Sequence, residues 1–260
     1  MRHLMSSIQV IELEDWNEFK QYVQDNFTVF PAYVFRGQRD SDWEIISTLT
    51  RLANSVSIDA KALENKQLEL FQKRIRGLRG ANPPKLSSDE LWSLGQHYGL
   101  ATPLIDWSES PYIAAYFAFE HVENPKCDYR SVYVLSRYGL ANKLEEKGIK
   151  DVSFVESLLD DNSRIIAQAG LFTKLPTGLS FEQWLIENEL GGLLVELRIP
   201  TDYRLEALND LRAMNIQANT IYPDLHGAAI SCNMWHENVS DNIEQKNRIN
   251  NMLKQLELTK

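Results

Sequence analysis

The stretch from Gly95 to Glu120, GQHYGLATPLIDWSESPYIAAYFAFE, decides how this chain reads. It gathers an imidazole (His97), a carboxylate (Asp106), an indole (Trp107) and several hydroxyls around a segment bent by Gly99 and Pro103, and then turns apolar. The second half carries the signals of a helix. Ser110 is a capping residue, Pro111 suits the first helical position, and Ile113, Ala114, Phe117 and Ala118 share a face. The polar group is therefore expected at a helix mouth. There, free N–H groups and partial positive charge favour an anion such as a phosphate. Each residue alone has a plainer reading: Asp106 as a turn cap, Trp107 as core, His97 as a satisfied buried histidine. It is their density beside a helix start that points to a ligand site.

Upstream, Ile8–Leu13 alternates as a strand, and Asp15 with Glu18 opens a helix whose stripe is Trp16, Phe19, Val23 and Phe27. Tyr33-Val34-Phe35 is a short strand that runs into Arg36-Gly37-Gln38. An arginine at a strand end is suited to a phosphate or carboxylate, which its guanidinium holds with two bonds, and Gly37 permits close approach of backbone. A helical pattern covers residues 58–78, with Leu68, Phe71, Ile75 and Leu78 on one side, and Ser88 begins another helix. Glycines and prolines break the chain between them.

Downstream, Ser131–Leu135 reads as a buried strand and residues 140–161 as mixed helix and loop. In NSRIIAQAGLF (162–172), Arg164 and Gln168 are four apart and share a helical face, with Gly170 as its stop. A helix from Ser180 through Ile186 and a strand Leu193–Leu197 follow. A further helix carries Leu205, Leu208, Leu211 and Met214 and stops at Asn215. Thr220-Ile221-Tyr222 is expected as a strand ending at PDLHG, which puts the Asp224 carboxylate where a strand meets a helix. Residues 240–258 pattern as a terminal amphipathic helix. No repeat or linker divides the chain, so residues 1–260 are expected to form a single domain with a core of about 28–236. Its class is α+β, a mixed and mostly antiparallel sheet with surrounding helices.

Of the 260 residues, 43% are hydrophobic and 24% charged, an ordinary globular balance. No run approaches the length of a membrane span, and the start MRHLMSSIQV lacks a signal peptide's apolar core, so a cytoplasmic protein is expected. A formal charge of -9 disfavours broad affinity for nucleic acid, despite the basic group Lys73, Arg74, Arg76, Arg79 and Lys85. Cys127 and Cys232 form no CxxC pair, so neither a disulfide framework nor a thiolate zinc site is suggested. P-loop, GxGxxG, GxSxG and HExxH patterns are absent. Asp106, His97, Asp224 and His226 are conceivable metal ligands, but their spacing favours no metal.

Four motifs in order are recognisable: FRGQ (35–38), the run from His97-Tyr98-Gly99 through Thr102, Leu104, Asp106 and Trp107 to the Ala114–Phe117–Ala118 face, NSRIIAQAGLF, and YPDLHG. With these the chain resembles the FRG-domain family from about Tyr33 to about Trp235. The order strand-arginine, hydroxyl segment with Ala/Phe-rich helix, and late acidic residue further resembles ADP-ribosyltransferases, which implies a split sheet and NAD as substrate. On that resemblance Arg36 steadies the dinucleotide, Thr102 or Ser108 belongs to the hydroxyl segment, and Asp224 aids cleavage of the nicotinamide bond. Asp106-Trp107-Ser108 stands where such enzymes carry Ser-Thr-Ser. The implied site has Arg36, Asp106, Asp224 and His97 as catalytic groups. Arg36, Gly37, Gln38, Tyr98, Thr102, Trp107, Ser108, Arg164 and Gln168 would contact the dinucleotide. The acceptor would be a macromolecule, and the family's bacterial setting implies a toxin or phage-defence role. The alternatives are a non-catalytic nucleotide- or protein-binding module and, third, a metal-dependent nuclease.

Overall fold

Tyr129–Ser136 (β4) is buried from Arg130 through Leu135, its apolar run being Val132–Leu135, and it sits inside the sheet rather than at an edge. The computed structural model describes residues 7–27, 32–121, 126–156 and 163–236. The other strands are Gln9–Glu12 (β1), Tyr33–Gln38 (β2), Leu104–Ser108 (β3), Ser153–Val155 (β5), Gly170–Lys174 (β6) and Leu194–Pro200 (β7). The helices are Trp16–Asn26 (α1), Thr48–Val56 (α2), Ala60–Arg74 (α3), Ser88–His97 (α4), Pro111–Phe119 (α5), Arg137–Lys147 (α6), Ser163–Ala167 (α7), Phe181–Glu187 (α8), Arg204–Ala213 (α9), Ala218–Ile221 (α10) and residues 225–236 (α11).

The strands form one sheet in the order β1-β7-β4-β2-β3-β6-β5; β1 runs parallel to β7 and every other pairing is antiparallel. The α+β, mostly antiparallel expectation holds. β2 pairs with β4 over its full length, but it meets β3 at a single register pair, Phe35 with Ser108. The sheet therefore divides into β1-β7-β4-β2 and β3-β6-β5, hinged at that pair.

One face of the sheet is covered by α1, α5 and α9, whose Trp16, Phe19, Ala114, Ala118 and Leu211 share a core with Phe35, Val132 and Leu197. Full burial of side chains such as Trp16 and Phe19 contributes about 1.5–3 kcal/mol each. The opposite face packs α6 and α8 on Val34, Trp107 and Leu135. A smaller cluster of Trp92, Leu104, Val155 and Phe172 serves the β3-β6-β5 part.

Gly37 sets how α5 crosses the sheet. A methyl group built on it would stand 1.9 Å from the carbonyl oxygen of Ala114 and 2.7 Å from the amide nitrogen of Ala118. The close approach expected at Gly37 is therefore that of a helix backbone. Ala114, Ala115 and Ala118, all fully buried, complete a small-residue seam.

Several local expectations change. Arg36-Gly37-Gln38 belongs to β2 rather than following it, and Asp106-Trp107 lies in β3 rather than in a bent helix mouth. Residues 220–222 do not form a strand: Thr220 and Ile221 close α10, where Thr220 and Gln217 make reciprocal caps. α2 and β6 were not anticipated, and Leu78 is exposed rather than on a buried stripe. Asn215 stops α9 with φ 63°, as expected. The helix expected over 240–258 lies outside the described residues.

Candidate functional site

Where the β2–β3 ladder stops, a side chain takes over. The Arg36 guanidinium donates from Nη1 to the carbonyl oxygen of Asp106 at 2.9 Å, and the same nitrogen lies 3.9 Å from Asp106 Oδ2. Its Nε is buried and has no partner among the described residues. A buried donor left unpaired costs about 1–3 kcal/mol, so such an atom in a ligand cleft calls for an acceptor. Burial pushes the Arg36 pKa down, and Asp106 opposes that; the group stays a cation at neutral pH.

Arg36 borders a cleft of about 910 Å³ between the two parts of the sheet. From β2 and the following turn come Phe35, Gly37, Gln38, Arg39, Trp43 and Glu44; from α2 comes Arg51. α4 and β3 supply Gln96, His97, Asp106, Trp107 and Ser108, and α7 with its flanks supplies Arg164, Ile165 and Gln168. The far end of α5 gives Phe117 and, just past it, Glu120 and His121, opposite Tyr222. Four arginines and several aromatic faces on one concave wall suit an anionic ligand with flat rings.

The polarity of α5 differs from expectation. Ser110 does cap it, accepting from Ile113 N at 3.3 Å, and the Ser110 N–H donates to Ser108 Oγ at 3.0 Å. But the cleft borders the C-terminal half of the helix, and neither Ser110 nor Pro111 lines it. The anion-favouring helix end does not face the site, so anion affinity falls to the arginines.

The candidate residues separate by what their side chains already do. Asp106 is 63% exposed, and Gln96 Nε2 donates to its Oδ1, while Thr102 Oγ1 donates to Gln96 Oε1. Thr102 is fully buried and does not line the cleft; it positions Asp106 through Gln96. Gln96, which the sequence did not single out, holds Asp106. His97 does line the cleft; burial first and then the Arg164 charge lower its pKa, so it is neutral at pH 7. Tyr98 is 75% exposed and lies outside the cleft wall. The Trp107 indole is core: its Nε1 donates to Thr173 Oγ1 at 2.9 Å and its ring packs on Phe181. Ser108 Oγ donates to the Gln168 carbonyl at 2.8 Å, so both of its roles are structural. Gln38 Nε2 donates to the Trp43 carbonyl at 2.6 Å and fixes the turn that presents Trp43.

Arg164 and Gln168 both border the cleft, and the Gln168 N–H donates to the Arg164 carbonyl one turn back. Gln168 Nε2 reaches the Ile221 carbonyl at 3.3 Å. Asp224 is committed elsewhere. Its Oδ1 accepts from the N–H groups of His226 and Gly227 and caps α11; its Oδ2 takes Arg164 at 2.6 Å. Those bonds, first the one from Gly227, hold its carboxyl below the usual range. It does not line the cleft. Among the described residues, the atoms close enough to share a cation belong to Asp40, Asp42 and Cys127, not to the set named from the sequence.

The carboxyl the sequence did not single out is Glu120. Its side chain is 12% exposed, accepts from Tyr222 Oη at 3.0 and 3.1 Å, and has its pKa pushed up to about 7 by burial. Its backbone is fixed by two buried arginines on the orphan carbonyls of α5. Arg130 donates to Ala118 and His121, and Arg204 to Phe119, Glu120 and His121. In sequence, Glu120 is one acid at a helix end, which ordinarily faces solvent. Trp43, 47% exposed with the Arg39 guanidinium 4.9 Å from its ring, was not singled out in the sequence either.

No helix among the described residues is long and apolar enough to cross a membrane. In comparison with known proteins, neither the curated proteins nor the solved structures return a match. Residues 31–127 match the FRG domain family, a narrower span than the sequence resemblance, which ran on through NSRIIAQAGLF and YPDLHG. Arg36, Trp43, Arg51, Asp106 and Glu120 all fall inside it, so most of the cleft wall belongs to the span that matches the FRG domain family.

Proposed function

We propose that the cleft binds NAD and that the protein is an ADP-ribosyltransferase-like enzyme, cleaving the bond between the nicotinamide nitrogen and the ribose anomeric carbon. The observation that carries this reading is the buried Nε of Arg36, without a partner among the described residues, beside an arginine-lined cleft of dinucleotide size. In this reading Arg36 and Arg51 hold the pyrophosphate, and Trp43 offers a face to a base. Gln168 meets the nicotinamide carboxamide. Departure of nicotinamide takes the bonding electron pair with it and leaves positive charge on the ribose. An anionic group held nearby stabilises that charge without reorganising. Asp106, fixed by Gln96, fits this role better than Asp224, whose two oxygens are engaged with α11 and Arg164.

The test is release of nicotinamide, with transfer of label from NAD to a bacterial lysate, by the wild type and by Arg36→Met. We expect release by the wild type and a loss of roughly a hundred- to a thousand-fold in the variant. Binding of NAD without release would favour the non-catalytic nucleotide-binding module. No binding at all would remove the reading.

A further inference from the structure

Glu120 and Tyr222 form a pair that the reaction just described does not yet use, although both line the cleft. Among the described residues, charged and titratable groups around them are few. On α5, Tyr116 donates its hydroxyl to Met234 Sδ, and His121 Nε2 stands 3.7 Å from Glu120 Oε1. The Arg164 guanidinium lies 5.5 Å from the Tyr222 ring centroid, and the His226 ring packs on the ring's edge. Arg130 and Arg204 are turned to backbone carbonyls beneath. Among the described residues, the Glu120 carboxyl thus faces the cleft with one neutral hydroxyl, that of Tyr222, as its hydrogen-bond donor.

The chemistry says what such a carboxyl can do. Nicotinamide in NAD is a quaternary pyridinium, so it leaves as a neutral base when it takes the C–N electron pair, and it needs no proton. The one proton that must move is that of the acceptor oxygen.

We propose that Glu120 is the general base of the cleft, receiving the proton of an acceptor hydroxyl or of water as that oxygen bonds to the anomeric carbon, with Tyr222 as its positioning residue. The C–N bond breaks with its electrons on nicotinamide, the O–C bond forms from an oxygen lone pair, and the O–H proton passes to the Glu120 carboxylate and then to solvent. A side chain that titrates near neutrality both accepts and releases a proton efficiently. Burial raises Glu120 into that range, and the Tyr222 hydrogen bond restrains the rise. The inference rests on the NAD reading.

The experiment compares wild type, Glu120→Gln and Tyr222→Phe in NAD binding by calorimetry and in the pH profile of kcat/KM for nicotinamide release, with thermal unfolding as the folding check. We expect the wild-type rate to climb with pH through one ionisation near 7, because the base works only when deprotonated. Glu120→Gln should lose that limb and fall by roughly 10²–10⁴-fold while still binding NAD. Tyr222→Phe keeps the ring but removes the donor, so its limb should move to higher pH. A wild type that fails to bind NAD sinks the NAD reading, and this inference with it. A wild type that binds and cleaves NAD, with Glu120→Gln keeping rate and limb, overturns Glu120 alone. A Tyr222→Phe limb that stays in place contradicts the pairing.

Discussion

Gly37→Ala tests the contact on which the cleft geometry depends. The added methyl would stand 1.9 Å from the Ala114 carbonyl oxygen, so α5 has to withdraw by about 1.5 Å to regain ordinary contact at 3.4 Å. The atoms in the way are helix backbone, which has no rotamer to change. Overpacking of a tight core costs roughly 1–3 kcal/mol where the surroundings yield, and here the upper end applies. Alanine's smaller loss of backbone entropy in a strand returns about 0.5–1 kcal/mol. A net cost of about 2–2.5 kcal/mol lowers the Tm of a chain this long by roughly 4–10 °C. Glu120 ends the same helix, so NAD turnover should fall as well. Differential scanning calorimetry reads the first effect and nicotinamide release the second. A variant melting within about 1 °C of wild type would refute the claim that Gly37 admits α5 to the sheet.

Two further outcomes follow from the same geometry. Asp224→Asn keeps an N-capping side chain and gives up one partly exposed ion pair, worth about 0–1 kcal/mol, so melting and nicotinamide release should stay close to wild type; a hundred-fold rate loss would return Asp224 to the chemistry. Glu120 binds a proton more tightly folded, near pH 7, than unfolded, near 4.5, so its contribution is full below 4.5 and lost as pH rises through 7. The gap is worth about 3 kcal/mol at most, and the Tm of wild type relative to Glu120→Gln should fall between pH 4.5 and 7; a flat or rising difference would contradict the burial of this carboxyl.

What the chain disclosed in advance was mainly local. Ser110-Pro111 with the alanine face specified α5, the run SVYVL specified β4, and Asp15 with Trp16, Phe19 and Val23 specified α1, because caps and periodicity act within a few residues. β3 was hidden. LIDWS lies between Pro103 and a helix cap, so the punctuation outweighed a short alternation, and its pairing with β6 is set by residues more than sixty positions away. Thr220-Ile221-Tyr222 has strand-forming side chains, yet Ala218 and Ile221 bury under α5 and the Gln217–Thr220 caps close a helical turn. Among site residues, Arg36, Asp106, His97, Arg164 and Gln168 were legible as chemistry-bearing types beside structural punctuation, and all border the cleft. Glu120 was not legible. Its burial comes from Tyr222, 102 residues on, and from Arg130 and Arg204 on other elements. Asp224 shows the converse: in sequence an acid before His-Gly stands free, whereas in the fold it is a helix cap and an ion-pair partner.

The proposed dinucleotide site is the cleft between the two parts of the sheet, anchored on Arg36. A crystal structure of the wild type with NAD or ADP-ribose measures it directly. A pyrophosphate oxygen is expected within hydrogen-bond distance of Arg36 Nε, with the ribose between Asp106 and Glu120. A dinucleotide bound outside this cleft, or an empty cleft at saturating ligand, would contradict it.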